Sequence, residues 1–576
     1  MNRRAVSLSI FLLTVIGACG PRSADLLLTN ARVYTLAWGE PESDGAPALD
    51  APYSAADGWR PDAEAVAVRN GRIVFVGNEE DGEAYRGANT EVLDLGGATV
   101  LPGMIDSHTH VVELGARLAR VNLVNVVTEE AAVELVLERA AQVPEGTWIV
   151  GAGWDEGAWA DRYPGMELIS ERVPNHPVYM RSLHGFAGWG NRMAFELAGI
   201  TADTEAPLGG EIRKDTQGRP TGLLLNRAVP LLDEAIPTPN HEQLQEQILA
   251  GLDEMARSGF VAIHEAGAPT ETMAAFEALE ADGRLPLRVY SMLSARDTSV
   301  LALWETRGPD LDAESMLRTR SVKAFYDGAL GSRGARLLED YSDTPGHRGL
   351  SGEEYGFDAT WMRRMMAAGF QVAIHAIGDA GNRESLDFID SVYQDVPGAR
   401  DNRNRIEHAQ VVHPDDLRRF AELDLVASME PAHAVEDMPW AEGRVGPDRI
   451  KGAYAWRALR STGAQLTFNS DLPGSDWSIF YAMHAAITRR NKSREPSGGW
   501  YPEQALTAEE TVRAYTNWAA YVAFSEDDTG VIEAGRWADL TVMDVDPFAL
   551  AAEDPGGILD GEIVATIVAG QVVHQR

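Results

Sequence analysis

Near its start the chain alternates apolar and polar positions. The runs "ADLLLTNARVYTL", "AEAVAVRNGRIVFVG" and "TEVLDLGGATVLPG" predict short strands separated by Gly and Asn turns. Between the first two lies "WGEPESDGAPALDAPYSAADGWRPD", rich in Gly, Pro, Ala and acid, which predicts a flexible loop. The strand pattern returns at the far end in "GVIEAGRWADLTVMDVDP" and "EIVATIVAGQVVHQR". Both ends, residues 24–100 and 525–576, therefore predict pieces of one small β-domain with the middle inserted between them.

The middle, residues 101–524, alternates buried-looking strands with helical stretches, the pattern of βα units on a parallel sheet. "LPGMIDSHTH" feeds a first strand. Seven more follow: "GFVAIHEAG", "LPLRVYSML", "RSVKAFYDG", "FQVAIHAIGD", "NRIEHAQ", "LDLVASMEP" and "AQLTFNSD". Helical stretches such as "DATWMRRMMAAG" and "GPDRIKGAYAWRALRSTG" separate most of them. The class is α/β, and eight strands predict a (β/α)8 barrel whose chemistry sits at the C-terminal strand ends. Residues 147–230, with "WIVGAGWDE" and "VYMRSLHGFAGWG", are extra and predict an insertion after the first strand.

The first twenty residues, "MNRRAVSLSIFLLTVIGACG", have another character. Arg3 and Arg4 precede an apolar stretch from Ala5 to Ile16 and the small pair Gly17–Ala18. That is the layout of a signal peptide over residues 1–18, too short to span a bilayer comfortably. Cys19 is the only cysteine, so no intrachain disulfide can form. "IGAC" resembles a bacterial lipobox, which implies lipidation of Cys19; the alternative is a plain secretory signal. Gly20 then favours an outer-membrane anchor, with the protein facing the periplasm and touching membrane only through its lipid.

At 576 residues the chain exceeds one small core, and its 45% hydrophobic content is that of a globular protein. Asp and Glu number 87 against 50 Lys and Arg, giving a formal charge of −37. Such acidity argues against nucleic acid as a partner and for a solvated acidic surface.

His108 and His110 stand two apart, so in a strand both aim to one face. The other barrel strands bring metal-capable or reactive groups to the same mouth: Lys323 on the fourth, His375 on the fifth, His408 on the sixth and Asp471 on the eighth. His176, His241, His347, His413, His484 and His574 fall in loop or helical contexts and read as ordinary. His264 ends the second strand as a structural residue.

From these residues outward the chain resembles the metal-dependent amidohydrolase superfamily, in its YtcJ-like (amidohydrolase 3) branch. The resemblance rests on "LPGMIDSHTH", "VKAFYDGALGSRGA", "VAIHAIGD", "RIEHAQ", "FNSDLP", "GGEIRKDTQGRPTGLL", "EETVRAYTNWAAYVAF" and "GVIEAGRWADLTVMDVDP". It covers the chain from about Asp25 onward. One departure is "FNSD" where the family more often has Gly-Ser-Asp. The resemblance implies a distorted barrel with a composite β-sandwich, and His108, His110, Lys323, His375, His408 and Asp471 as the metal ligands. Imidazole and carboxylate donors suit one or two zinc ions, and also nickel, manganese or iron. In relatives a lysine at this place takes up CO2 to become a carbamate bridging two cations; the alternative is an unmodified lysine in an ion pair or against substrate. A single cation at His108, His110, another His and Asp471 would serve the same attack.

The implied reaction is metal-assisted hydrolysis, with water acidified by the cation and Asp471 accepting its proton. The expected substrate is a small molecule carrying an amide, formamide, carbamate or cyclic amide. The rivals are ester, lactone or phosphotriester hydrolysis, deamination (which Lys323 counts against) and a lipid-anchored binding protein with a structural metal. Trp154, His184, Arg333 and His433 are the expected substrate contacts. Each has a plainer alternative: a buried anchor for Trp154, loop packing for His184, an ion pair with Glu339 for Arg333, and support of a ligand for His433. Relatives are often homodimers.

Overall fold

The computed structural model describes residues 23–155 and 163–576; residues 1–18, expected to be a signal peptide, and Cys19 lie outside the described residues. Eight parallel strands curl into the barrel: β1 (Met104–Thr109), β2 (Phe260–Ala268), β3 (Arg288–Ser294), β4 (Leu317–Phe325), β5 (Gln371–Ala376), β6 (Arg405–His408), β7 (Val426–Met429) and β8 (Gln465–Phe468). They coincide with the eight runs read from the sequence. Most are buried on both faces, as parallel strands flanked by helices require.

The ring is nearly closed. β1 and β8 meet through one parallel bridge, Thr109 to Leu472, beyond the end of β8. There the amide of His110 donates to Leu472 O and the amide of Asp471 to His108 O, at 3.0 and 3.1 Å. This seam holds Asp471 beside the two histidines of β1. Below it Ser107 Oγ donates to Phe468 O, and Tyr515 closes the base by accepting from the amide of Ile105.

Helix α1 (Val111–Leu118) follows β1 and crosses α2 (His241–Arg257), which leads into β2. The crossing needs glycine. A Cβ on Gly115 would lie 1.8 Å from Gln247 O, and one on Gly251 2.3 Å from Val111 O. Gly115→Ala must push two backbones apart, an overpacking cost of about 1–3 kcal/mol or more. The expected outcome is a clear fall in the thermal midpoint, and an unchanged midpoint would show that the crossing gives way freely.

The insertion begins earlier than its sequence pattern suggests. Val121–Asn122 already pairs with Ile149–Trp154, and the sheet continues through Val178–Ser182, Ala187–Gly190, Pro220–Asn226 and Gly210–Lys214. Helix Glu129–Ala140 covers it with Ala132, Val133 and Val136. A two-residue strand carries too little alternation to be seen in the sequence.

The chain's two ends do build one sandwich. Leu26–Thr29, Ala65–Arg69, Arg72–Gly77 and Glu91–Asp94 form one sheet. Arg32–Val33 and Thr99–Pro102 join the C-terminal strands Leu540–Met543, Ile563–Val568 and Gln571–Gln575 in the other. Leu28, Val66, Val100, Leu540 and Ile567 fill the space between.

Residues 38–62, expected to be flexible, are instead strapped to the barrel. Trp38 Nε1 donates to buried Glu509 at 2.7 Å, while Glu40 accepts from Arg513, Asn517 and Trp518. Composition alone hides this, because every anchor lies more than 400 positions away. Among the described residues no helix is long and apolar enough to cross a membrane.

Candidate metal centre

Asp106, His108 and His110 share one face of β1. Asp106 fixes the floor by accepting from the Ser470 hydroxyl at 2.6 Å and from the amides of Ser470 and His108 at 3.1 and 3.2 Å. Asp471 Oδ1 then stands 3.3 Å from His110 Nε2 and 3.5 Å from His108 Nε2. Lys323 Nζ reaches the same nitrogen of His108 from β4, at 2.9 Å.

β5 and β6 supply the other two rings, with centroids 4.4 Å apart, and the His408 centroid lies 5.2 Å from that of His108. Their register places Ala376 opposite His408 and His375 opposite Glu407. Strict alternation on β6 would put Glu407 inward and His408 outward. His408 has φ +72°, a left-handed conformation that bulky residues rarely adopt, and this turns its ring back to the mouth. Asp471 is left-handed too, at φ +51°. Strain of this kind, of order 1–3 kcal/mol per residue, is typical of functional sites.

Burial tunes the titration of the group. It pushes His108 down to about 4, helped by the Lys323 charge beside it. His375 falls well below the ordinary histidine range, again through burial first and His408 second. Both rings are neutral at pH 7, as a ligand ring must be. Burial opposes the charge of Asp471, but His110, His108 and His408 together hold the carboxyl well below its usual range. For His110 the same pair works in reverse: burial lowers it, and Asp471 wins and raises it. Lys323, 1% exposed, drops to about 8 because its ammonium is desolvated.

These residues fit a divalent cation. Among the described residues His375 Nε2 is buried with no hydrogen-bond partner, the Asp327 carboxylate standing 3.7 Å away, an uncommon state for a polar atom. The 3.3 and 3.5 Å separations around Asp471 match the roughly 3.3 Å edge of a tetrahedron with arms of about 2.0–2.1 Å, the zinc–nitrogen length. His108, His110 and Asp471 form one compact donor group, and His408, Glu430 and His433 form another.

Of the expected substrate contacts only His433 borders the cluster, with Nδ1 3.3 Å from Glu430 Oε2. Burial lowers its affinity for a proton, but Glu430 overrides this and raises it to about 9, so it is an imidazolium at neutral pH. Trp154 is fully buried in the insertion and donates Nε1 to Met180 O at 3.0 Å. His184 sits on the exposed turn between two insertion strands, and no contact joins it to the cluster among the described residues. Arg333 binds Asp343 through two nitrogens, at 2.8 and 3.2 Å, rather than Glu339.

Sequence reasoning overlooked three residues next to the ligands. Glu407 Oε2 lies 2.5 Å from His108 Nδ1, Arg405 pairs with Glu407, and Glu430 Oε1 lies 3.1 Å from His408 Nδ1. Their one signal was position: Arg405 and Glu407 share the inward face of β6, and Glu430 ends β7.

An amidohydrolase family model matches residues 91–574 of the chain. The putative amidohydrolase YtcJ of Bacillus subtilis (strain 168) is 30% identical over 525 residues, which span 89% of this chain and 96% of that protein. The N-substituted formamide deformylase of Arthrobacter pascens is 27% identical over 532 residues, 89% of this chain and 95% of its own. Among solved structures, an uncharacterized metal-dependent hydrolase from Pyrococcus furiosus superposes with a TM-score of 0.69 at 25% identity, covering 91% of this chain and 99% of that one. A nearly closed eight-stranded barrel, a histidine and carboxylate cluster at its mouth and a family match over most of its length lead to one conclusion: the chain belongs to the amidohydrolase family of metal-dependent hydrolases.

Proposed function

We propose that the chain hydrolyses a non-peptide C–N bond of a small molecule: an amide, N-formyl, carbamate or cyclic amide group. The observation that carries this reading is the convergence of His108, His110, Lys323, His375, His408 and Asp471 at one barrel mouth. The likeness to a formamide deformylase supports the choice of bond. The five histidine and aspartate side chains would hold one or two divalent cations, zinc first and nickel, manganese or iron as alternatives. When bound, such a cation polarises the substrate carbonyl and acidifies water.

The remaining work belongs to the protein. Asp471 is ionised and accepts the proton of the attacking water at its carboxylate, then returns it to the leaving nitrogen. His108 and His375 stay neutral and keep their lone pairs free. Lys323 has a usable neutral amine near pH 8, and that amine can add CO2 with loss of a proton to give an anionic carbamate. The carbamate oxygens would then join the side chains that would hold the cation or cations. His433, a cation at the rim, faces polar or anionic groups of the substrate.

The test is a panel of N-acyl, N-formyl, carbamate and cyclic amide substrates, run beside esters and phosphotriesters on metal-loaded protein. Release of free amine is the expected result. Turnover confined to the oxygen esters would overturn the proposal.

A further inference from the structure

Five buried carboxylates surround the barrel mouth, and three of them tie backbone. Asp106 accepts from the amides of His108 and Ser470, Glu265 from that of Val111, and Asp327 from those of Arg336, Ile377 and Gly378. Glu407 and Glu430 differ. Neither accepts from a backbone amide among the described residues, and each instead faces the Nδ1 of one histidine in the cluster. Glu407 Oε2 is 2.5 Å from His108 Nδ1, and Glu430 Oε1 is 3.1 Å from His408 Nδ1. Both glutamates are buried, at 0% and 3% exposure.

Burying a carboxylate is costly unless its charge is matched, so something must hold each one in its ionised form. For Glu407 that partner is Arg405. The guanidinium pairs with both carboxylate oxygens, donates to Ser107 O at 2.6 Å and Ser428 Oγ at 2.9 Å, and reaches His264 Nδ1 at 3.2 Å. It is thus fixed to β1, β2 and β7 at once. For Glu430 the partner is His433, on its second oxygen. Around Glu407 a cation holds the carboxylate, the carboxylate takes the Nδ1 proton of His108, and the ring's Nε2 is left with its lone pair, whereas Glu430 lies within ion-pair distance of the Nδ1 atoms of His408 and His433 without a hydrogen bond to either. For His108 that Nε2 is the atom lying toward Lys323 and Asp471.

We propose that Glu407 is a positioning residue, which fixes the tautomer and ring orientation of His108 so that Nε2 is the nitrogen offered to the metal, and that Glu430 orients the ring of His408 through its charge. The proposal rests on the reading of these histidines as ligands. Carboxylates behind ligand rings raise ring basicity, and losing them typically weakens metal binding 10- to 100-fold. Arg405 acts one step further back, as the counter-ion that keeps Glu407 anionic.

The experiment measures zinc affinity by equilibrium competition with a chromophoric chelator, together with zinc stoichiometry, for the wild type, Glu407→Gln, Glu407→Asp and Glu430→Gln. Glu509→Gln serves as a control, because it removes an equally buried carboxylate that pairs with Arg513 and Trp38, away from the cluster. The expected result is affinity about 10- to 100-fold weaker in the Gln variants at unchanged stoichiometry, with Glu509→Gln unaffected. Cobalt-loaded Gln variants should also show a displaced visible absorption band, which a loss of general stability would not produce. If Glu407→Gln does not fold with Arg405 unpaired, Glu407→Asp and Glu430→Gln carry the test, since Asp keeps the charge but draws back from the ring. Wild-type affinity and an unmoved cobalt band in the folded variants would overturn the proposal. Loss of one whole equivalent of zinc in Glu430→Gln would overturn it too, by making Glu430 a ligand itself. A wild type that binds no stoichiometric zinc or cobalt would instead overturn the ligand reading on which the proposal stands.

Discussion

Lys323→Ala should reduce turnover by at least about 10²–10³-fold, the scale of losing one preorganised charge-stabilising group from a closed site. Lys323 is buried, and desolvation opposes its ammonium more strongly than the charges of Glu407, Asp471 and Glu430 support it. Its Nζ lies 2.9 Å from His108 Nε2, a ring held neutral by burial, and 4.6 Å from the centroid of Phe325. An ammonium there would repel incoming divalent cations, whereas a carbamate would attract them and supply two oxygens. The alanine variant removes both forms and leaves a hole of the right size for a small acid. Formate, acetate or bicarbonate should therefore restore part of the rate to Lys323→Ala and none to the wild type. Intact-protein mass measured under native conditions should show the added CO2 on the wild type alone. A wild-type rate in the alanine variant would remove Lys323 from the reaction. A dead variant with no rescue and no added mass on the wild type would leave an unmodified lysine contact.

Asp471→Asn should separate metal retention from proton transfer. The amide keeps the shape of the side chain and one oxygen near His110 and His108, so much of the metal should stay bound. What disappears is the proton acceptor, and with it about 10²–10⁴-fold in kcat, the usual share of general acid–base catalysis. Metal content by elemental analysis and kcat from steady-state kinetics distinguish the two effects. A variant with full metal and full rate would show that another group takes the proton.

The sequence revealed the barrel because each of its strands is a short apolar run bounded by turn residues, buried on two faces. The convergence of the candidate ligands was legible for a related reason: a strand end fixes where a side chain emerges, so His108, Lys323, His375, His408 and Asp471 could be placed at one mouth from their runs alone. The glutamates were not legible. With 87 acidic residues in the chain, no pattern marks the one that meets a ring 299 positions away. The surroundings of Trp154 and Arg333 could not be read from sequence, because the partners the structure gives them, Met180 and Asp343, are not named by the local pattern. His408 shows a further limit, since its inward turn depends on a backbone angle that the alternation rule forbids.

The sandwich built from both chain ends constrains the order in which the protein is made. Thr99–Pro102 pairs with Leu540–Met543, and the Met104 amide donates to a hydroxyl 437 positions later. During synthesis the N-terminal strands leave the ribosome first and must wait, with an open edge, until almost the whole barrel has followed. Open edges invite pairing with other chains, and contacts so distant in sequence form slowly. Completion of the small β-domain must therefore await synthesis of the C-terminal strands, and a chain cut short before Leu540 would leave Thr99–Pro102 of the sandwich without the strand it pairs with.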